Sequence, residues 1–170
     1  MGVTLGFAAK LPLLEDAVMS TFTLIHVVIS LIGIVAGLVV VYGFLVGSKL
    51  PAWNLVFLLF TILTSVTGFF FPFHGITPGI VVGVISLVVL AVAVVAWQKK
   101  WATTYIVTAM VAEFFNVLVL IVQSFQKVPV LHALAPKGTE PVTTVVKVAA
   151  LVLFVGLGWA AVRRGRFVLG

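Results

Sequence analysis

Residues Ile76–Gln98 read ITPGIVVGVISLVVLAVAVVAWQ, twenty-three positions without an acidic or basic side chain. An α-helix rises about 1.5 Å per residue, so roughly 20 such residues cross a hydrocarbon core of about 30 Å. The stretch is apolar on every face and offers no polar stripe to water. A membrane-spanning helix is the expected outcome, and the flanking sequence extends the pattern in both directions. Four further segments meet the same demand, at Thr21–Gly47, Pro51–Pro72, Trp101–Lys127 and Val142–Val162.

The breaks between these segments have local causes. Gly47-Ser48-Lys49-Leu50-Pro51 is a short turn, with Pro51 suited to the first position of the next helix. Pro72, Gly75 and Pro78 interrupt the apolar run and make the second and third spans a hairpin. Gln98-Lys99-Lys100-Trp101 closes the third span, and the three prolines between Val128 and Pro141 mark the longest internal connection as a loop. The expected fold is an all-α integral membrane protein built as a bundle of five transmembrane helices. Its organisation reads as an N-terminal interfacial segment over residues 1–20, in which Pro12 keeps a helix short, then the bundle over 21–163 and a basic tail over 164–170.

Composition agrees with lipid as the solvent. In 170 residues, 63% are hydrophobic, 8% are charged and the mean hydropathy is +1.36, which leaves too little polar surface for a water-soluble globule. The net charge of +6 does not point to nucleic acid, because the ten basic residues stand in ones, twos and threes between apolar runs. Charges so placed set topology. With the N-terminus outside, Lys49, Lys99, Lys100, Arg163, Arg164 and Arg166 fall on the cytoplasmic side, against Lys10, Lys127 and Lys137 on the other. The expected orientation is therefore N-terminus out and C-terminus cytoplasmic, with Trp53, Trp97, Trp101 and Trp159 as interfacial anchors at the cytoplasmic end. The first apolar segment lacks the form of a cleaved leader, and Gly6 breaks the myristoylation pattern that Met1-Gly2 begins.

Polar side chains within spans are costly in lipid and normally face the bundle interior. Glu113, Asn116, Gln123 and Lys127 follow helical intervals along one stripe of the fourth span, and Thr23, His26, Ser30, Gly33 and Gly37 do so on the first. The second offers Asn54, Thr61, Ser65 and Gly68, and the fifth Glu140, Thr144 and Lys147. From the rise per residue, His26 and Gln123 lie roughly 6 to 8 Å below the outer surface, Lys147 roughly 8 Å, and Glu113 about 20 Å, near the midplane. Glu113, Asn116, Gln123, His26 and Lys147 are the candidate ligand- or proton-binding residues. Close helix packing by itself accounts for the Thr, Ser and Gly spacings, Gly33/Gly37 and Gly79/Gly83 included, with no function required. Lys127 and Lys147 can snorkel to the interface.

Several chemistries lack their residues. There is no cysteine, so no disulfide, thiolate or iron–sulfur ligand, and no phosphate-binding glycine loop, His-Glu-x-x-His or nucleophile elbow. No catalytic residue is assigned, and no cofactor is expected. A metal or b-type haem held by His26 with His74 or His132 carries no spacing signature, although all three histidines fall on the outer side of the expected topology.

Residues 114–136, FFNVLVLIVQSFQKVPVLHALAP, run from the fourth span into the outer loop. This stretch resembles a segment of small uncharacterised bacterial multi-pass membrane proteins and covers about one residue in seven of the chain. The resemblance implies a bacterial inner membrane and carries no activity or catalytic residue.

Three functions compete. The leading one is a non-enzymatic protein that binds or passes a proton, ion or small polar solute through a polar bundle interior, with Glu113 as the deep protonatable group. The second is an accessory or scaffold subunit that packs on a membrane partner or on its own copies. The third is a haem or metal redox protein using His26 and an outer-loop histidine.

Overall fold

The computed structural model describes residues 3–72, 75 and 77–164, with the backbone alone for 3–17. His74 and the tail beyond Arg164 lie outside the described residues. The elements are α1 (Val3–Val46), α2 (Pro51–Gly68), α3 (Pro78–Gln98), α4 (Ala102–Lys127), α5 (Pro129–Leu134) and α6 (Pro141–Arg164). Five stretches are long and apolar enough to cross a bilayer: Val18–Val46 within α1, then α2, α3, α4 and α6. The chain is a helical, multi-pass membrane protein.

Two local expectations are corrected. The residues before Thr21 do not form a separate short helix, because α1 runs unbroken through Pro12. An interior proline forfeits one helix hydrogen bond and costs roughly 3 kcal/mol. The other turns of α1 keep their own hydrogen bonds, so this one loss does not end the helix. The connection from Val128 to Pro141 is likewise not all loop. Pro129 opens the six-residue α5, since proline at the first helical position lacks only a donor that would have no partner anyway.

The turns at one end are closed by local backbone geometry. Gly47 takes a φ of 70°, and the Ser48 amide reaches back to the Gly43 carbonyl at 2.9 Å, ending α1. Lys100 does the same for α3 at a φ of 57°, with Trp101 N–H donating to Ala96 at 2.8 Å. At the opposite end, Thr77 accepts from the Ile80 amide at 3.3 Å and Pro78 starts α3.

Packing closes a ring of four helices, with α1 on α2, α2 on α3, α3 on α4 and α4 on α1. Helix α6 packs against both α1 and α4. The core is concentrated in one half of this ring. Its large members, Val40, Phe44, Phe57, Leu90, Tyr105 and Ile106, all lie between the ring's middle and the end that carries Lys49, Lys99 and Lys100. Towards the other end, no described residue of α1 before Gly33, of α2 after Thr61 or of α3 before Ser86 is buried. Burial there is confined to Phe125, Ala135 and Thr143, around the connection from α4 to α6. The bundle is thus packed at one end and loose at the other.

Candidate functional site

Glu113 sits where the packed half stops. Its residue surface is 0% exposed, and it belongs to α4, the helix in contact with α1, α3, α5 and α6. Asn116, one turn further along the same helix, spends both amide hydrogens here. One goes to Glu113 Oε2 at 3.2 Å and the other to Thr61 Oγ1 on α2 at 3.1 Å. Glu113 Oε1 is buried with no hydrogen-bond partner, and Glu113 forms no ion pair among the described residues. A carboxyl that carries one hydrogen bond and no counter-charge in a lipid-solvated interior is costly to keep ionised.

The α1 backbone makes room for this cluster. A side-chain carbon at Gly37 would fall on the Glu113 carboxyl and come within 2.9 Å of the Phe57 ring. One turn away, a carbon at Gly33 would stand 3.4 Å from both the amide nitrogen and the hydroxyl of Thr61. The two glycines read from sequence as a packing pair therefore act separately, one receiving α2 and the other the acid of α4.

On the packed side of Glu113 a second polar bridge crosses the ring. Tyr105 Oη donates to Asn54 Oδ1 at 2.5 Å, and Asn54 Nδ2 donates to the Leu50 carbonyl at 2.7 Å. Phe44 meets the Tyr105 ring edge-on at 5.8 Å. Helices α2 and α4 are diagonal members of the ring, and these side-chain bonds at Asn54–Tyr105 and Thr61–Asn116 tie them across its middle.

The open side begins directly above the acid. Leu120, two turns from Glu113 on the same face of α4, is 37% exposed, and Asn116 between them is half-buried. Gln123 and Lys127 continue the stripe as exposed residues. Gln123 therefore does not join the Glu113 cluster, and Lys147, partly buried on α6, does not bond to Glu113 either. His26 is half-buried, and its ring pairs with Thr67 of α2 rather than with Gln123.

Sequence reasoning passed over Tyr105, Thr64 and Thr67. Thr61, Thr64 and Thr67 recur every three residues on α2, a spacing that keeps hydroxyls near one face and was legible in the chain. The Tyr105–Asn54 bridge had no such signal, since its partners are 51 positions apart. For metal chemistry, His132 is exposed on α5, and among the described residues no three His, Cys, Asp or Glu side chains come together as a metal-ligand group.

No protein-family model, curated protein or solved structure matches this chain.

Proposed function

We propose that this chain is a non-enzymatic membrane protein that binds a proton at Glu113, taken up from the loosely packed end of the bundle. The observation that supports this reading is the wholly buried acid with one unbonded oxygen, seated at the boundary between the packed and open halves. As a neutral acid the group accepts from Asn116 on Oε2, which leaves the acidic hydrogen on Oε1, without a protein partner. An ion or small polar solute would meet the same oxygens, and a proton needs the least room. The Tyr105–Asn54 bridge and the aromatic packing below it separate Glu113 from the far end.

The proposal includes orientation. The basic residues near the span ends in the sequence, three against six, support an outer open end and a cytoplasmic C-terminus, and a bacterial inner membrane rests on the resemblance of residues 114–136. An accessory-subunit role has one feature in its favour, the exposed apolar face of α6 around Val152, Val155 and Trp159, with open space beside Gly156. Lipid covers such a face equally well.

Infrared spectroscopy of the reconstituted protein tests the reading. A protonated-carboxyl band at neutral pH, lost in Glu113→Gln while thermal stability is kept, is the expected result. Vesicles holding a pH-sensitive dye should also lose proton uptake in this variant. An ionised Glu113, or uptake equal to that of the native protein, removes the basis of the proposal.

A further inference from the structure

The hydrogen bonds around His26 favour one ring nitrogen as the carrier of its proton. Thr67 has one hydroxyl hydrogen, and its shortest acceptor is the Leu63 carbonyl at 2.6 Å. Its oxygen therefore presents a lone pair to His26 Nδ1, 2.8 Å away. That contact is a hydrogen bond only with the hydrogen on Nδ1. The neutral ring then has its free lone pair on Nε2. Phe71 stands edge-on to the imidazole at 5.0 Å, and His26 Cε1 is 3.8 Å from where a Gly68 side chain would begin. These contacts hold the ring in place, and none brings a charge to it.

Between this ring and Glu113, oxygen atoms recur at about one-turn steps. On α2 they are Thr67, Thr64 and Thr61, each step rising about 4.5 Å along the helix axis. Ser30 occupies the turn of α1 between His26 and Gly33, with its hydroxyl bonded back to the His26 carbonyl at 2.7 Å. Thr64 Oγ1 is buried and has no hydrogen-bond partner, so it holds unused capacity midway along the line. Thr61 then accepts from Asn116, which also contacts the acid.

We propose that His26 is the proton-exchanging group at the outer mouth of the path to Glu113, with Nδ1 anchored on Thr67 and Nε2 as the working atom. This rests on the reading of Glu113 as a proton-binding acid. A proton from the outer solution adds to Nε2 and gives the imidazolium. The same proton leaves Nε2 towards Thr64 and Thr61, and the ring returns to its starting tautomer. Thr67 does not relay the proton, because its hydroxyl hydrogen is committed to a backbone carbonyl.

Two measurements on the full chain in lipid nanodiscs test this. Nitrogen NMR of histidine-labelled protein should show one ring, absent in His26→Gln, that is protonated on Nδ1 and bare on Nε2, and Thr67→Val should release it to the ordinary tautomer mixture. The deuterium-exchange rate of the Glu113 carboxyl band should fall roughly tenfold or more in His26→Gln, with the band itself unchanged. Thr67→Val, which keeps the imidazole, should slow exchange less. A ring protonated on Nε2, or unaltered exchange in His26→Gln while the band is present, overturns the role of His26 and leaves Glu113 as the binding group. Absence of the band in the native protein overturns both readings.

Discussion

Gly37 of α1 and Glu113 of α4 occupy adjoining space so closely that no side chain at position 37 fits without moving the acid. The Phe57 ring also abuts this position, and Glu113 is wholly buried, so the carboxyl has little freedom to yield. Alanine normally gains about 1 kcal/mol over glycine inside a helix. Overpacking typically costs 1–3 kcal/mol, so Gly37→Ala is expected to lose up to about 2 kcal/mol net and to shift the Glu113 carboxyl band. Gly156→Ala, with nothing within 4 Å, should be neutral or gain up to about 1 kcal/mol. Unfolding in mixed micelles compares the two, and equal effects would contradict the close fit at Gly37.

The Tyr105–Asn54 bridge is expected to behave as a buried pair. Tyr105→Phe removes the donor and leaves Asn54 Oδ1 unbonded, at a cost of about 1–3 kcal/mol. Removing both polar groups together should cost less than the sum of the single changes. A double-mutant cycle by thermal unfolding measures the coupling, and strict additivity would mean the bond contributes nothing.

For orientation, a cysteine at Ser48 should resist an impermeant thiol reagent in intact cells, and one at Gly138 should react. The native chain has no thiol to compete. The reverse pattern would place the open end on the cytoplasmic side.

Glu140 lies outside the spans, where its Oε1 accepts from the Lys137 amide at 2.8 Å. That bond holds its carboxyl below the ordinary value of 4.5. A depressed folded value stabilises the turn above the unfolded value, and the contribution fades as pH falls through the folded one. Hydrogen exchange at the Lys137 amide, corrected for its intrinsic rate, should therefore be slow at neutral pH and accelerate on acidification below about 4.5. Glu140→Gln should remove the acid-induced change, and persistence of that change would assign it to another group.

Much of the bundle is legible in the sequence. The charge-free run from Ile76 to Gln98 demands a helix because lipid offers no partner for open backbone groups, and Gly47, Pro51 and Pro78 end or start helices through their own backbone limits. Pro12 and Pro129 show where local rules fell short, since proline is tolerated inside or at the start of a helix when the surroundings supply no better use for the backbone. The stripe from Glu113 to Lys127 was also visible as spacing, but spacing gives a direction on one helix and not the depth to which its neighbours cover it.

That coverage was decided by tertiary structure. The sequence by itself determined five apolar stretches, their turns and the presence of a carboxyl within the fourth, because hydropathy, helix rise and backbone limits act over a few residues. Which polar groups meet depends on contacts between positions far apart: Thr61 with Asn116, His26 with Thr67, Asn54 with Tyr105, and Gly37 beneath Glu113. Gln123 keeps the rhythm of Glu113 and is nonetheless exposed, because the ring is packed at one end and open at the other. Helices in lipid associate through close packing and interhelical hydrogen bonds rather than a hydrophobic drive, so their pairing depends on the fit of facing surfaces, which no local pattern in one helix contains.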